Sequence, residues 1–165
     1  MICRMSKKPV KKSGESQINI RNKKAYHDYE LVEKVEAGIS LVGTEVKSLR
    51  EGLADLEGSY ARVAGNECWL TGCKITPYAR ASHTNHEAER NRKLLLHKKQ
   101  IEKIKIKLTQ RGFTLVPLRI YFNNRGLAKV ELALARGKKQ YDKRAALQKA
   151  QQKLDMDRAM KKYRH

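Results

Sequence analysis

Two cysteines and two histidines stand in an order that could bind a metal ion. Cys68 and Cys73 are followed by His83 and His86, and thiolates together with imidazoles are ligands that zinc prefers. In a regular strand, however, Cys68 and Cys73 differ in parity, so their side chains would point to opposite faces. We therefore predict no metal site and interpret the cysteines, including Cys3, as small buried or inert thiols.

His83 and His86 could also stack on nucleic-acid bases or exchange protons, although histidines in loops are usually just solvated. The acidic residues are scattered among basic neighbours, and the sequence has no phosphate-binding glycine loop, zinc-protease helix or nucleophile elbow. We predict no catalytic residue, no cofactor and no enzymatic activity. An RNA-processing enzyme that uses these histidines is the minor alternative.

The charge of the chain indicates a polyanionic partner. Its 165 residues include 37 Lys and Arg against 17 Asp and Glu, a formal net charge of +20. Residues 1–24 carry eight basic residues and one acidic residue, and residues 136–165 carry eleven and three. The middle of the chain therefore has an ordinary composition for a globular domain, between two basic ends.

The chain divides into three segments by composition. Residues 1–17 have almost no large apolar side chains, so we predict a disordered basic arm. Residues 18–137 have enough apolar residues for one folded domain. Residues 138–165 form a basic tail with a thin apolar stripe, which we expect to be disordered when free and helical when bound.

The first residues lack a secretory signal, and no segment has the roughly 18 apolar residues of a membrane span. Three cysteines are too few for a disulfide framework, as expected in a reducing compartment. We therefore expect a cytoplasmic protein that has neither a membrane partner nor a small-molecule substrate.

The first half of the domain is rich in strand signals. Alternation from Tyr29 predicts a strand that breaks at Gly38 and resumes over 39–42. A short helix follows, with Thr44 as its N-cap and Gly52 as its stop. Two strands over 59–64 and 68–75, joined by the Gly65-Asn66 turn, predict a hairpin.

The second half begins with a long polar stretch, residues 77–93, which we interpret as a functional or mobile loop. A helix is predicted over 98–111, and the Lys99, Lys103 and Lys107 row on it could follow a phosphate backbone or simply face solvent. Two strands, 113–122 and 127–135, come next, and Pro117 indicates an edge or a bulge.

About six strands, short turns and one late helix predict a mainly β fold. We expect a small closed antiparallel barrel of the oligonucleotide/oligosaccharide-binding (OB) type, with a few short helices and basic tails. A half-open β-sandwich is the alternative.

Six motifs in this chain resemble, in the same order, those of the bacterial SsrA-binding protein family. They run from residue 22 to residue 144, over most of the chain. The motifs are NKKAYHDY at 22–29, EAG at 36–38, GTEVKSLR at 43–50, RKLLL at 92–96, LVPL at 115–118 and GKKQYDKR at 137–144.

The resemblance implies an RNA-binding adaptor of trans-translation, the rescue of stalled ribosomes. The barrel would bind the transfer-RNA-like domain of transfer-messenger RNA. The basic tail would enter the empty messenger channel of the ribosome and contact small-subunit ribosomal RNA near the decoding centre. A permanent ribosomal protein that recognises only ribosomal RNA is the alternative among binding proteins.

Several positions match family residues of the face that binds transfer-messenger RNA, or are basic residues of the same motifs. Without the resemblance, Glu36 would be interpreted as a surface strand residue and Leu95 as a core residue. Their assignment to the RNA-binding face therefore comes from the resemblance. The predicted set is Asn22, Lys23, Lys24, Glu36, Lys47, Arg50, Lys93, Leu95 and Lys129.

A second set of positions is assigned by the resemblance to the ribosome and its decoding centre. Most family members have His where Tyr141 stands, so a role that needs an imidazole proton does not transfer, whereas stacking of the ring does. Many members also have Trp near Gln152. The predicted set is His27, Lys138, Lys139, Tyr141, Asp142, Lys143 and Arg144.

Overall fold

A computed structural model of the chain describes residues 18–81, 85–110 and 112–138, together with positions 151, 152, 155, 156, 158 and 160. Strands dominate the first three ranges, as predicted. The strands are β1 Asn19–Arg21, β2 Tyr29–Ile39, β3 Ala54–Asp55, β4 Tyr60–Ala64, β5 Glu67–Thr71, β6 Lys74–Ile75, β7 Arg92–Leu95, β8 Phe113–Phe122 and β9 Ala128–Gly137. The helices are α1 Lys23–Asp28, α2 Gly43–Arg50 and α3 Lys98–Thr109.

Six antiparallel strands form a closed ring of hydrogen-bonded neighbours, in the order β4, β5, β7, β2, β9 and β8. The ring closes where Ala61 of β4 pairs with Leu115 of β8, and β1 adds to the other part of β8. Closure satisfies the backbone groups that an open sheet would leave at its edges. The predicted mainly β fold is thus confirmed, with its strands in a closed ring rather than a half-open sandwich.

The core fills the inside of the ring, and a second apolar cluster lies outside it. The inner core includes Leu70, Leu94, Leu115 and Leu132 from four strands of the ring. The outer cluster consists of Ala25 of α1 on Val116, Leu118, Ala133 and Ala135 of β8 and β9. Helix α1 therefore covers one end of the outer surface of β8 and β9.

A bulge in β8 explains how one strand serves both clusters. Its pairing with β9 shifts register between Pro117 and Arg119, which confirms the predicted irregularity at Pro117. Because the bulge changes parity, Leu118 packs outside with α1 while Ile120 points into the ring. After the bulge, Arg119 and Tyr121 continue the outer surface.

Strand β2 does not break at Gly38, so the predicted interruption is wrong. The strand continues to Ile39 and ends there, and Gly38 pairs with Leu95 on one side and Lys129 on the other. A Cβ atom at Gly38 would lie 3.2 Å from Cβ of Leu95. The glycine thus allows a close cross-strand approach rather than ending the strand.

The N-terminus of α2 differs from the prediction by two residues. Val42, not Thr44, is the N-cap, and its backbone N–H donates to Oε2 of Glu45 at 2.8 Å. A glutamate at the third helical position can cap in this way even when the N-cap side chain is apolar. The predicted stop is confirmed by Gly52, which has φ +76° just after the helix.

The predicted hairpin is confirmed, but its second strand ends at Thr71 rather than continuing to residue 75. Gly72 has φ +75°, and the chain then enters β6, which pairs with β3 in a separate small sheet. Cys68 and Cys73 are consequently both buried in the core, so the parity argument about them is wrong. Burial raises the pKa of each thiol to about 11, which makes both poor nucleophiles.

Helix α3 buries Ile101 and Ile104, as predicted, and ends at Thr109. Toward the C-terminus, the six described positions between 151 and 160 are helical and exposed. The predicted disordered arm, 1–17, lies outside the described residues. Within the part of the chain that the structure describes, no helix combines the length and the apolar character needed to span a membrane.

Candidate nucleic-acid interface

Three of the residues predicted to bind RNA meet in one surface cleft of about 560 Å³. Glu36 comes from β2, Leu95 from β7 and Lys129 from β9, so the ring brings together positions that are up to 93 residues apart in sequence. Lys103 and Lys107 of α3 also line this cleft. The cleft thus combines an apolar side chain with cations from β9 and α3.

The carboxylate of Glu36 contacts one side chain from β9 and one from β8. Its Oε1 lies 3.0 Å from Nζ of Lys129, and its Oε2 accepts a hydrogen bond from the Tyr121 hydroxyl. The bond from Tyr121, followed by that from Lys129, lowers the pKa of Glu36, and the same bond raises the pKa of Tyr121 to about 12. Glu36 is therefore ionised and fixes the positions of an ammonium group and a ring.

The same outer surface continues into a ladder of charged side chains on β2, β8 and β9. Glu131 pairs with Arg119 and, at 3.4 Å, with Lys34. The Arg119 guanidinium lies 4.8 Å from the centroid of the Tyr121 ring. Sequence analysis missed Arg119 and Tyr121, because their partners Glu131 and Glu36 lie 12 and 85 positions away in the sequence.

Leu95 is 55% exposed although its neighbour Leu94 is buried. The interpretation of Leu95 as a core residue, based on its apolar triplet alone, is therefore wrong. Its side chain lies over Gly38 and borders both the cleft with Glu36 and a second cleft of about 460 Å³. An exposed leucine between two clefts can contact a base or sugar of RNA without any loss of core packing.

The second cleft contains Lys93, which pairs with Glu67 of β5. Both side chains are more than 40% exposed, so this ion pair contributes little to stability. A phosphate can compete for the ammonium group of Lys93 at small cost.

Lys47 and Arg50, the predicted RNA-binding residues of α2, each lie over an aromatic ring. Nζ of Lys47 is 5.4 Å from the ring centroid of Tyr78, and Cζ of Arg50 is 5.8 Å from that of Phe122. Both side chains belong to exposed residues. The rings orient the cations and leave their hydrogen-bond donors available for phosphate.

Asn22 differs from the other predicted RNA-binding residues because it is only 5% exposed. It is the N-cap of α1, with Oδ1 accepting from the Ala25 N–H at 3.0 Å. Its Nδ2 donates to the carbonyl oxygens of Leu56 and Pro117. All of these groups are occupied within the protein, so Asn22 can act on RNA only by positioning α1.

Helix α1 carries residues of both predicted sets. Lys23 is exposed, and Lys24 pairs with Glu57, whose hydrogen bond raises the pKa of Lys24. His27 is on the same helix, with Nδ1 3.1 Å from Oδ1 of Asp28. The structure therefore places Lys23 and Lys24 beside the predicted ribosome-facing histidine rather than in the cleft.

The start of the predicted tail is bound to α1. The Lys138 N–H donates to the carbonyl oxygen of Asp28 and its Nζ donates to that of Tyr26, both at 3.0 Å. His27 and Lys138 of the predicted ribosome set thus lie at the same end of α1. The other members of that set, Lys139, Tyr141, Asp142, Lys143 and Arg144, lie outside the described residues.

The end of the predicted polar stretch, residues 77–93, belongs to a buried ionic cluster that sequence analysis missed. Arg92 is fully buried, and its Nε donates to Oε1 of Glu45 at 2.8 Å. Arg90 donates to both oxygens of the same carboxylate, at 2.8 and 2.6 Å. Arg92 also donates to the carbonyl oxygens of Cys73, Ala88 and Arg90. Arg92 is therefore a structural residue.

His86 is held by neighbouring elements, so its interpretation as a merely solvated side chain is wrong. Its Nδ1 lies 2.9 Å from Oγ1 of Thr44 and its Nε2 lies 3.2 Å from the Ile75 carbonyl oxygen. Both ring nitrogens are thus used to join the loop to α2 and β6. His83 lies outside the described residues. Within the described ranges, no three Cys, His, Asp or Glu side chains converge as a metal site would require.

Comparisons with known proteins give the same family as the motifs. The family model described as SmpB protein matches residues 19–162. An SsrA-binding protein of Syntrophobacter fumaroxidans is 51% identical over 160 residues, which cover 97% of this chain and 99% of the relative. The SsrA-binding protein of Streptomyces avermitilis is 48% identical over 149 residues, with 90% and 84% covered.

A solved structure also matches the described fold. A chain in the structure described as "tmRNA-SmpB: a journey to the center of the bacterial ribosome" has a TM-score of 0.65 and 53% sequence identity, over 74% of this chain and 86% of that one. The resemblance drawn from six motifs is thus confirmed over nearly the whole chain. The chain belongs to the SmpB family, the SsrA-binding proteins.

Proposed function

We propose that this protein is an RNA-binding adaptor of trans-translation. It binds the transfer-RNA-like domain of transfer-messenger RNA through the ring and delivers that RNA to stalled ribosomes in the cytoplasm. The observation that carries the proposal is the meeting of Glu36, Leu95 and Lys129 in one cleft, in a chain that belongs to the SmpB family.

The net charge of +20 supports a polyanionic partner, and the cleft supplies what such a partner needs beyond charge. Lys129, Lys103 and Lys107 can contact phosphates, while the exposed Leu95 offers an apolar surface to an unstacked base or a sugar. The cations contribute affinity for phosphate, while the Glu36 hydrogen bonds and the Leu95 side chain determine how the RNA is positioned in the cleft.

The second part of the proposal concerns the tail. It begins at Lys138, beside His27, and carries Lys139, Tyr141, Lys143 and Arg144 into the vacant messenger channel near the decoding centre. A segment this rich in Lys and Arg gains most of its binding energy from ribosomal RNA phosphates, with the Tyr141 ring available for stacking. The protein acts without catalysis, cofactor or small-molecule substrate.

The first test identifies the RNA that co-purifies with the protein. The tagged full-length chain is purified from its own cells at moderate salt, and the bound RNA is sequenced. We expect enrichment of a free, aminoacylatable transfer-messenger RNA, because salt removes nonspecific contacts first. Recovery of ribosomal RNA alone would instead favour the permanent ribosomal protein, and shortening of the RNA on long incubation would favour an enzyme.

The division of roles is tested by truncation directly after Lys138, which keeps both contacts of that residue with α1. The truncated chain should bind transfer-messenger RNA with a Kd within about threefold of the full chain, yet give no peptide tagging on stalled ribosomes. A thermal unfolding scan of both chains provides the control for folding. Loss of the binary RNA complex would contradict this division.

A further inference from the structure

Arg119 and Tyr121 form a pair on the outer surface of β8, beside the cleft that contains Glu36. The guanidinium carbon of Arg119 lies 4.8 Å from the centroid of the Tyr121 ring. Nε of Arg119 donates to Glu131, and the Tyr121 hydroxyl donates to Glu36. Each member of the pair is therefore held by a separate carboxylate as well as by the other member.

The pair keeps unused binding capacity. The Arg119 side chain is 38% exposed, and its terminal nitrogens Nη1 and Nη2 have no hydrogen-bond acceptor among the described residues. A guanidinium that lies over a ring and is bonded through Nε retains a second flat face and two terminal nitrogens as hydrogen-bond donors. Holding the long Arg119 side chain in this way costs conformational entropy, which is a large cost for a surface residue that binds no ligand.

The surroundings of the pair suit a polyanion. Arg21 of β1 is paired in register with Arg119, Lys34 of β2 contacts Glu131, and Lys129 of β9 contacts Glu36. These four cations face two carboxylates, Glu36 and Glu131, so the local balance is positive. Tyr121 also joins the pair directly to the cleft, because Glu36 contacts both Tyr121 and Lys129.

We propose that an unpaired RNA base stacks on the outer face of the Arg119 guanidinium, with the Tyr121 ring behind it. The base, the guanidinium and the ring then form three layers, and Nη1 and Nη2 contact the adjacent phosphate or a base edge. Glu36 and Glu131 are positioning residues in this arrangement. The inference rests on the proposed binding of transfer-messenger RNA and adds a second contact beside the cleft.

Arg119→Lys separates stacking from simple charge. Lysine keeps the positive charge beside Glu131 but lacks the planar group on which a base stacks. We expect Arg119→Lys and Arg119→Ala each to weaken the Kd for transfer-messenger RNA by at least about fivefold, the lower range for loss of one stacked base. The slope of log Kd against log salt should become less steep in Arg119→Ala, which loses a cation, and stay near that of the wild type in Arg119→Lys.

Arg62→Ala is the matched control, because Arg62 is an exposed arginine on β4, outside the charged ladder of β2, β8 and β9, and its removal changes the net charge equally. Its Kd should stay within about twofold of the wild type. Tyr121→Leu is the second variant: it leaves Arg119 in place without the ring, and should weaken binding as Arg119→Lys does. Thermal unfolding of every variant shows whether the fold is retained.

The outcomes separate this inference from the function on which it rests. If Arg119→Lys binds as the wild type does while Arg119→Ala does not, Arg119 is only a phosphate contact and the stacking proposal is wrong. It is also wrong if Tyr121→Leu, still folded, binds normally. If the wild type itself does not prefer transfer-messenger RNA over unrelated RNA of equal length, the proposed function fails first.

Discussion

Glu45 and Glu36 are both carboxylates held by two basic or hydroxyl donors, but they lie in very different surroundings. The side chain of Glu45 is fully buried between Arg90 and Arg92, whereas that of Glu36 is 53% exposed between Tyr121 and Lys129. A buried cluster stabilises the fold, because losing one partner leaves a charge that water cannot reach. An exposed cluster adds little stability and instead fixes the positions of groups that remain available to a ligand.

Glu45→Gln should have the largest effect on stability. Without the carboxylate, the fully buried Arg92 loses its counterion, which costs about 3 kcal/mol of unfolding free energy and lowers Tm by roughly 10 °C. Urea unfolding measures the change. Glu102→Gln, an exposed position on α3, is the control and should stay within about 0.5 kcal/mol of the wild type. A variant as stable as this control would refute the role given to the buried cluster.

The stability that Glu45 provides should also depend on pH. Burial acts to raise its pKa, but the hydrogen bonds from Arg90 and the Val42 N–H and the charges of both arginines together lower it. A lowered folded-state pKa stabilises the protein above the unfolded value of about 4.3, and this stability is lost as pH falls through the folded value. The excess of wild type over Glu45→Gln should thus be constant from about pH 6 to 8 and shrink below about pH 4. An excess that grows on acidification would contradict this sign.

Lys129→Ala should weaken binding of transfer-messenger RNA by roughly tenfold, the order of one charge-assisted contact, and reduce the salt slope by about 1. If Glu36 acts by positioning Lys129, Glu36→Gln should cost less in the Lys129→Ala background than in the wild type. Filter binding of both single variants and the double variant measures this coupling. Lys105→Ala, which removes an exposed lysine outside the cleft, is the control. Fully additive losses would mean that Glu36 acts independently of Lys129.

Leu95→Ala should give the smallest effect of these variants. Because Leu95 is 55% exposed, the unfolding free energy should change by less than about 0.5 kcal/mol, while RNA affinity falls by roughly threefold to fivefold. Ile106→Ala removes an apolar side chain that is 66% exposed on α3 and should leave RNA affinity unchanged. Equal effects of the two substitutions on affinity would remove Leu95 from the interface.

The sequence predicted what depends on local pattern. Strand β8 was predicted with its observed bounds, and the hairpin turn followed from Gly65-Asn66, since alternation and turn residues act over a few positions. The missed features depend on distant partners. In the sequence, Arg92 is one residue of a polar stretch, and its burial depends on Glu45, which lies 47 residues earlier. Gly38 interrupts the strand alternation in the sequence, but its missing side chain allows Leu95 to approach β2 closely.

The candidate site was predicted in its residues and not in its arrangement. The family motifs indicated Glu36, Leu95 and Lys129, and the structure brings them into one cleft, but their roles in binding stay predictions. Asn22 shows the limit of such a transfer, because its amide is fully used in capping α1 and joining Leu56 to Pro117. A motif position identifies a residue that matters and does not distinguish a contact from a support.

The two hydrogen bonds of Lys138 to α1 fix the point at which the C-terminal segment leaves the ring. In a two-site binder, the second binding event occurs at an effective concentration that the tether between the sites determines. Anchoring the tether beside His27 shortens the free path to any surface that His27 faces. Weakening this anchor would thus lower the effective concentration of the tail on the ribosome without removing a single contact that the tail makes there.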